Sequence, residues 1–103
     1  MLQPSQTQIT IAKQIGAKEL HFAKFILVLD GSNKVIVSKG QKAVSIEYSE
    51  GSDTYNIVRY TRDRNFNTKS EEKLTNIYCD QLQDLIAEHF KFEYVFPILF
   101  RSN

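Results

Sequence analysis

The stretch AVSIEYSEGSDTYNIVRYT, residues 43–61, decides the fold class. From Ala43 to Tyr48 the side chains alternate. Val44, Ile46 and Tyr48 point one way, and Ser45 and Glu47 the other, which is the two-residue period of a half-exposed strand. A polar turn with Gly51 occupies Ser49 to Asp53, and Thr54 to Thr61 is again β-branched and aromatic. Two such runs around a short turn predict an antiparallel hairpin.

Working outward, Lys34 to Ser38 predicts another strand, with Val35 and Val37 on one face. The turn signals Asp30-Gly31-Ser32-Asn33 and Lys39-Gly40-Gln41-Lys42 bound it. Phe22 to Leu29 is apolar on both faces, which predicts a strand central in the sheet or covered on both sides. Thr7 to Ile15 carries Ile9, Ala12 and Ile15, with Ile11 beside them, at helical spacing. Thr7 is the expected cap and Gly16 the expected stop, after a loose start at residues 1–6. Arg62 to Thr75 is polar and charged and reads as a long loop or a partly helical connection.

The segment NIYCDQLQDLIAEHF, residues 76–90, predicts an amphipathic helix. Tyr78, Leu82, Leu85, Ile86 and Phe90 form its apolar stripe, with Cys79 at the edge. Asp80, Asp84 and Glu88 lie off that stripe, and Thr75 or Asn76 is the expected cap. Residues 91–103 form an aromatic tail in which Pro97 interrupts any regular element. The whole is expected to be one α+β domain, residues 1–103. Its predicted core is a four-stranded antiparallel meander with an N-terminal and a C-terminal helix packed on one face.

Thirteen Lys and Arg against twelve Asp and Glu leave a net charge of +1, so any binding of nucleic acid or anionic membrane needs a local patch. The single cysteine excludes an intrachain disulfide and fits a reducing compartment. The polar start shows no signal peptide, and the longest apolar run is too short to span a bilayer. The expectation is a cytoplasmic protein with no membrane contact.

Catalytic signals are sparse. Two histidines and one cysteine make a poor ligand set, and His89 and Cys79 are about 15 Å apart along the predicted helix. Neither metal nor cofactor is expected. No P-loop, GxSxG or GxGxxG is present, and the four glycines sit singly. Cys79 with His21 could form a nucleophile pair, but a small hydrophobe at the core edge is the commoner role of such a cysteine. Asp80 and Asp84 are spaced for acid–base work, although a solvated helix face explains them as well. The chain is read as a non-enzyme.

Two patches remain. In YNIVRYTRDRNF, residues 55–66, Arg59, Arg62 and Arg64 are interleaved with Tyr55, Tyr60 and Phe66. Guanidinium groups beside aromatic platforms suit single-stranded nucleic acid. An ordinary strand with a solvated arginine edge is the competing reading, since Tyr55 and Tyr60 fall on opposite faces. In the tail, Phe92, Tyr94 and Phe96 alternate, either closing the core or presenting an apolar interface.

Three islands carry a resemblance. Ile15-Gly16-Ala17 looks like a helix end. GSDTYNIVRY matches a Gly-x-Asp-x-Tyr strand motif at Gly51, Asp53 and Tyr55, with Asn56 in place of an acid. IYCDQLQDLI matches a Val-Tyr-Ala-Asp-x-Leu helix opening at Tyr78, Asp80 and Leu82. The chain resembles a group of small tailed-phage and prophage proteins that share this pattern. His21 to Gln41 and the aromatic tail depart from it.

The resemblance implies a phage origin, a bacterial cytoplasm, the same α+β layout and no known catalytic residues. The expected function is therefore binding to a host or phage protein, as an inhibitor of a host defence or nucleic-acid-processing system in the manner of anti-CRISPR proteins. Asp80, Asp84, Glu88, Phe92, Tyr94 and Phe96 would form the partner surface. The first alternative is single-stranded nucleic-acid binding through Tyr55, Arg59, Tyr60, Arg62 and Arg64. The second is a homo-oligomeric sponge for a nucleotide signal.

Overall fold

Ser5 opens the first helix. In the computed structural model, which describes residues 3–94, its hydroxyl accepts the Gln8 N–H while the Gln8 side chain accepts the Ser5 N–H. This reciprocal capping starts α1, Gln6–Ile15. Gln8 is buried and also donates from Nε2 to the carbonyls of Gly31 and Lys34, each at 3.0 Å. The cap thus ties the helix to the first hairpin turn. Gly16, at φ +72°, stops α1 and starts a second short helix, α2, Ala17–Phe22. A Cβ on Gly16 would sit 3.2 Å from the Tyr94 ring, so glycine is required there for space as well as for its backbone angle.

Five strands follow: β1 Ile26–Asp30, β2 Lys34–Lys39, β3 Lys42–Ser49, β4 Thr54–Arg62 and β5 Thr68–Ile77. They form one antiparallel sheet in the order β1-β2-β3-β4-β5. A 3-10 turn over Cys79–Gln81 leads into α3, Leu82–Phe90.

The register explains the core. Leu29, Val35, Ile46, Ile57 and Leu74 form one cross-strand row, and Leu27, Val37, Val44 and Arg59 form the next. Helices cover this face. Ile11 and Ile15 from α1, Leu20 from α2 and Leu82 and Ile86 from α3 are fully buried against it. Phe25 meets Phe90 and Phe92 edge to face, with ring centroids 4.8 and 5.2 Å away. None of the three helices exceeds 10 residues. Such short helices are stabilised by burial of their apolar stripes, since isolated helices of this length are marginal in water.

The α+β class and the antiparallel meander are as expected, and several details are corrected. The sheet has five strands rather than four. The fifth, TKSEEKLTNI, lies in the segment expected to be a long loop or a partly helical connection, and its last two residues, Asn76 and Ile77, come from the segment expected to open the C-terminal helix. It is an edge strand held through backbone pairing to β4, so it needs little apolar alternation of its own. Phe22 belongs to α2, and β1 is the opposite edge, mostly exposed, rather than a central or doubly covered strand.

The cap of α1 is Ser5, not Thr7, and its buried side chains are Gln8, Ile11 and Ile15. Ile9 and Ala12 lie half-buried beside them. The C-terminal α-helix begins at Leu82, preceded by the 3-10 turn. Asn76 sits at φ +57°, Tyr78 is exposed, and Cys79 is a free, exposed thiol rather than a core-edge hydrophobe. Among the described residues, no helix is long and apolar enough to cross a membrane.

Candidate nucleic-acid interface

The β2–β3 hairpin turns tightly at Gly40, φ +63°, and sets Lys39 opposite Lys42. Lys42 pairs in turn with Thr61 of β4, and Thr61 with Ser70 of β5. This row crosses the end of the sheet just beyond the last turn of α3. Lys42 Nζ donates to the His89 carbonyl at 3.0 Å. That contact places a cation at the helix C-terminus, where the dipole favours it. Lys39 Nζ lies 5.0 Å over the Phe25 ring.

A cleft of about 630 Å³ opens at this end. Its lining contains the cations Lys39, Lys42, Arg62 and Lys69, the hydroxyls of Thr61 and Ser70, and no carboxylate.

Arg62 is the pivot. Its guanidinium carbon lies 5.8 Å from the Tyr60 ring centre and 5.5 Å from that of Phe66. Its Nε is buried with no hydrogen-bond partner among the described residues. Its backbone N–H donates to the Gln41 carbonyl at 2.7 Å, which joins the two loops that flank the cleft. Phe66 stands 74% exposed at the tip of the β4–β5 loop. The loop is organised by Asp63, whose Oδ1 accepts the N–H groups of Asn65 and Asn67 at 2.8 and 3.0 Å. Phe66 itself has φ +65°. A non-glycine residue in that region costs about 1–3 kcal/mol, and strain of this kind persists where the surrounding structure imposes it.

Arg59 behaves differently. It faces the helices, and its side chain is only 12% exposed. Nε donates to Glu72 at 2.9 Å and Nη1 to Glu88 at 2.6 Å, with a further ion pair from Nη2 to Glu72. The bond from Arg59 holds the Glu88 carboxyl below its ordinary range. Beside it, His89 Nε2 lies 3.1 Å from the Tyr60 carbonyl. Burial pushes the His89 pKa down, against the opposing pull of that hydrogen bond, so the neutral ring that donates its proton is the favoured form.

The residues named from the sequence therefore divide. Arg62 lines the cleft and the Tyr60 ring lies beside its guanidinium, whereas Arg64 is exposed in the β4–β5 loop and is not part of the cleft lining. Tyr55 does not: it is buried, its hydroxyl bonded to Gln14 and its pKa raised by desolvation. Arg59 is neutralised. Of the expected partner surface, Asp80 and Asp84 are exposed, and Glu88 is engaged by Arg59. Phe92 and Tyr94 pack against the core. The Tyr94 hydroxyl donates to the Ile15 carbonyl at 2.8 Å, and burial pushes its pKa up. Phe96 lies outside the described residues.

Lys39, Lys42 and Lys69 were not singled out from the sequence. The two lysines flanking Gly40-Gln41 were a readable signal, because a two-residue hairpin sets its flanking positions opposite each other. Lys69 was hidden by the unexpected fifth strand. Among the described residues, no group of three or more His, Cys, Asp or Glu side chains could hold a metal ion. No family model matches the chain, and no curated protein or solved structure is significantly similar to it.

Proposed function

We propose that this protein is a non-catalytic binder of single-stranded nucleic acid that works from the basic end of its sheet. The observation that carries this reading is Arg62, flanked by Tyr60 and Phe66 beside a cleft lined by three lysines and no carboxylate. Lysines and hydroxyls supply phosphate contacts, and an exposed ring supplies a stacking platform that accepts any base. The net charge of +1 gives little long-range attraction, so affinity depends on this local patch. A tailed-phage origin, suggested by the strand and helix motifs, is part of the same proposal.

Fluorescence anisotropy of a labelled oligothymidylate, titrated at several salt concentrations, tests it. The expected result is saturable binding that weakens with salt, with a log–log slope of about −0.7 per phosphate contact. Three or four contacts give a slope of roughly −2 to −3. Absence of binding at low salt, or binding indifferent to salt, would sink the reading.

The inhibitor reading keeps the exposed pair Asp80 and Asp84 as an acidic surface for a basic host protein. It loses Glu88 to Arg59 and the Phe92 and Tyr94 rings to the core, so it ranks second. A nucleotide sponge would use the same cleft and is separated by its ligand. It predicts a rise in melting temperature with a mononucleotide, beyond any produced by inorganic phosphate.

A further inference from the structure

The two edges of the sheet are finished differently. β5 carries Lys69, Glu71, Glu72 and Lys73, the kind of charged edge that discourages pairing with another strand. β1 is ILVLD. Its interior carries no charge, proline or bulge, and its side chains are largely open, with Ile26 61% exposed and Val28 47% exposed. Beside it, Phe22 at the end of α2 is 83% exposed. The same side of the molecule has an apolar groove of about 480 Å³ between α1, the start of α2 and β1, lined by Ile9, Ala12, Ala17 and Leu29 among others. Among the described residues, an unpaired edge, a projecting ring and an unfilled apolar groove thus lie together.

We propose that β1 pairs with β1 of a second copy, antiparallel and centred on Leu27, to give a two-fold dimer with a continuous ten-stranded sheet. Apolar matching selects this register. Centred on Leu27, Ile26 of one copy falls opposite Val28 of the other on the open face, and Asp30 reaches past the start of the partner strand, toward the turn that carries Lys24 at φ +72°. Centred on Val28, Asp30 would instead face Ile26. Asp30 has an exposed, 3.8 Å contact with Lys34 of its own copy.

The helix side fits the same symmetry. α2 runs back along β1, with its start at the Leu29 end and Phe22 at the Phe25 end. The two-fold axis therefore brings Phe22 of each copy to the groove beside Leu29 of the other. Edge pairing of a five-residue strand is small on its own, and the two inserted rings add apolar area to it. The basic clefts lie at opposite ends of the joined sheet, so neither is covered.

Sedimentation velocity of the full chain over a range of concentrations is the test. The expected wild-type result is a reversible dimer. Val28→Lys places a charge on an already exposed site of the edge, and Phe22→Ser removes an exposed ring. Each is expected to yield a monomer with an unchanged far-ultraviolet circular dichroism spectrum.

Register is read by crosslinking in a Cys79→Ser background. Ile26→Cys mixed with Val28→Cys is expected to form a disulfide, because facing strand residues lie within bonding range. Val28→Cys alone is expected to form none. A monomeric wild type, which would leave the edge to the chain's own C-terminal residues or to a different partner, overturns the proposal. So does a dimer that survives both substitutions, or one crosslinked by Val28→Cys alone.

Discussion

Arg59 and Arg62 sit three positions apart on β4 and have opposite surroundings. Arg59 points under the helices, where Glu72 and Glu88 take up its donors. Arg62 emerges at the end of the sheet, where aromatic rings flank it and its Nε has no hydrogen-bond partner among the described residues. The difference is one of face and of distance from α3. An odd step along a strand changes the face, and the helix ends at Phe90, before it can cover the last residues of β4. A guanidinium with two carboxylates is a structural clamp, whereas one beside two rings, in a cleft whose described lining has no carboxylate, can hold phosphate and base.

The largest expected effect lies on the Arg62 side. Arg62→Ala and Phe66→Ala should each weaken oligothymidylate binding by about 10- to 100-fold, as expected for loss of a stacking or cationic platform. Arg62→Ala should also make the salt slope shallower by about 0.7–1. Anisotropy titrations check both, and unchanged affinity would erase the distinction between the two arginines.

Arg59→Ala should act on stability instead. It removes a mostly covered stem and both ion pairs, at a cost of about 1–2 kcal/mol, because the two carboxylates it leaves behind remain hydrated. Its oligonucleotide affinity should stay within about twofold of wild type. Denaturant unfolding beside anisotropy separates the two outcomes.

A smaller effect is pH dependence. Burial lowers the His89 pKa in the fold, while the unfolded chain titrates near about 6.5. The unfolded state then binds more protons over the interval between those values. Stability is full above about pH 6.5 and falls as pH drops through that value toward the folded pKa. Glu88, held low by Arg59, adds a second loss at more acidic pH, as pH falls through its folded value. His89→Gln should flatten the first decline, measured by melting temperature between about pH 8 and pH 5.5.

The smallest effect is expected for Asp80→Asn with Asp84→Asn. Both sites are exposed, so stability should change by less than about 0.5 kcal/mol, and nucleic-acid binding should not fall. Loss of binding by that pair would move the working surface to the acidic side and favour the inhibitor reading.

Residues 43–61 were legible because their period, turn and branching agree: the structure pairs Ile46 with Ile57 and Tyr48 with Tyr55 in an antiparallel hairpin. Gly16 was legible because a left-handed helix stop favours glycine. β5 was not, because Thr68 to Ile77 pairs through its backbone and turns most of its side chains to solvent, with only Leu74 and Ile77 packed against the core. Phe22 misled for the opposite reason, as an apolar residue that the fold leaves outside. The arginine–aromatic segment was visible as a composition, but only the sheet register separates Arg59 from Arg62 and brings Lys39, Lys42 and Lys69 to the latter.

The most direct measurement is a nuclear magnetic resonance titration of the isotope-labelled protein with an oligothymidylate. Binding at the basic end predicts shifts at Lys39–Lys42, Tyr60–Phe66 and Lys69–Ser70, with Asp80, Asp84 and the Arg59–Glu88 pair unmoved. Shifts centred on Asp80 and Asp84, or none at saturating oligonucleotide, would contradict it.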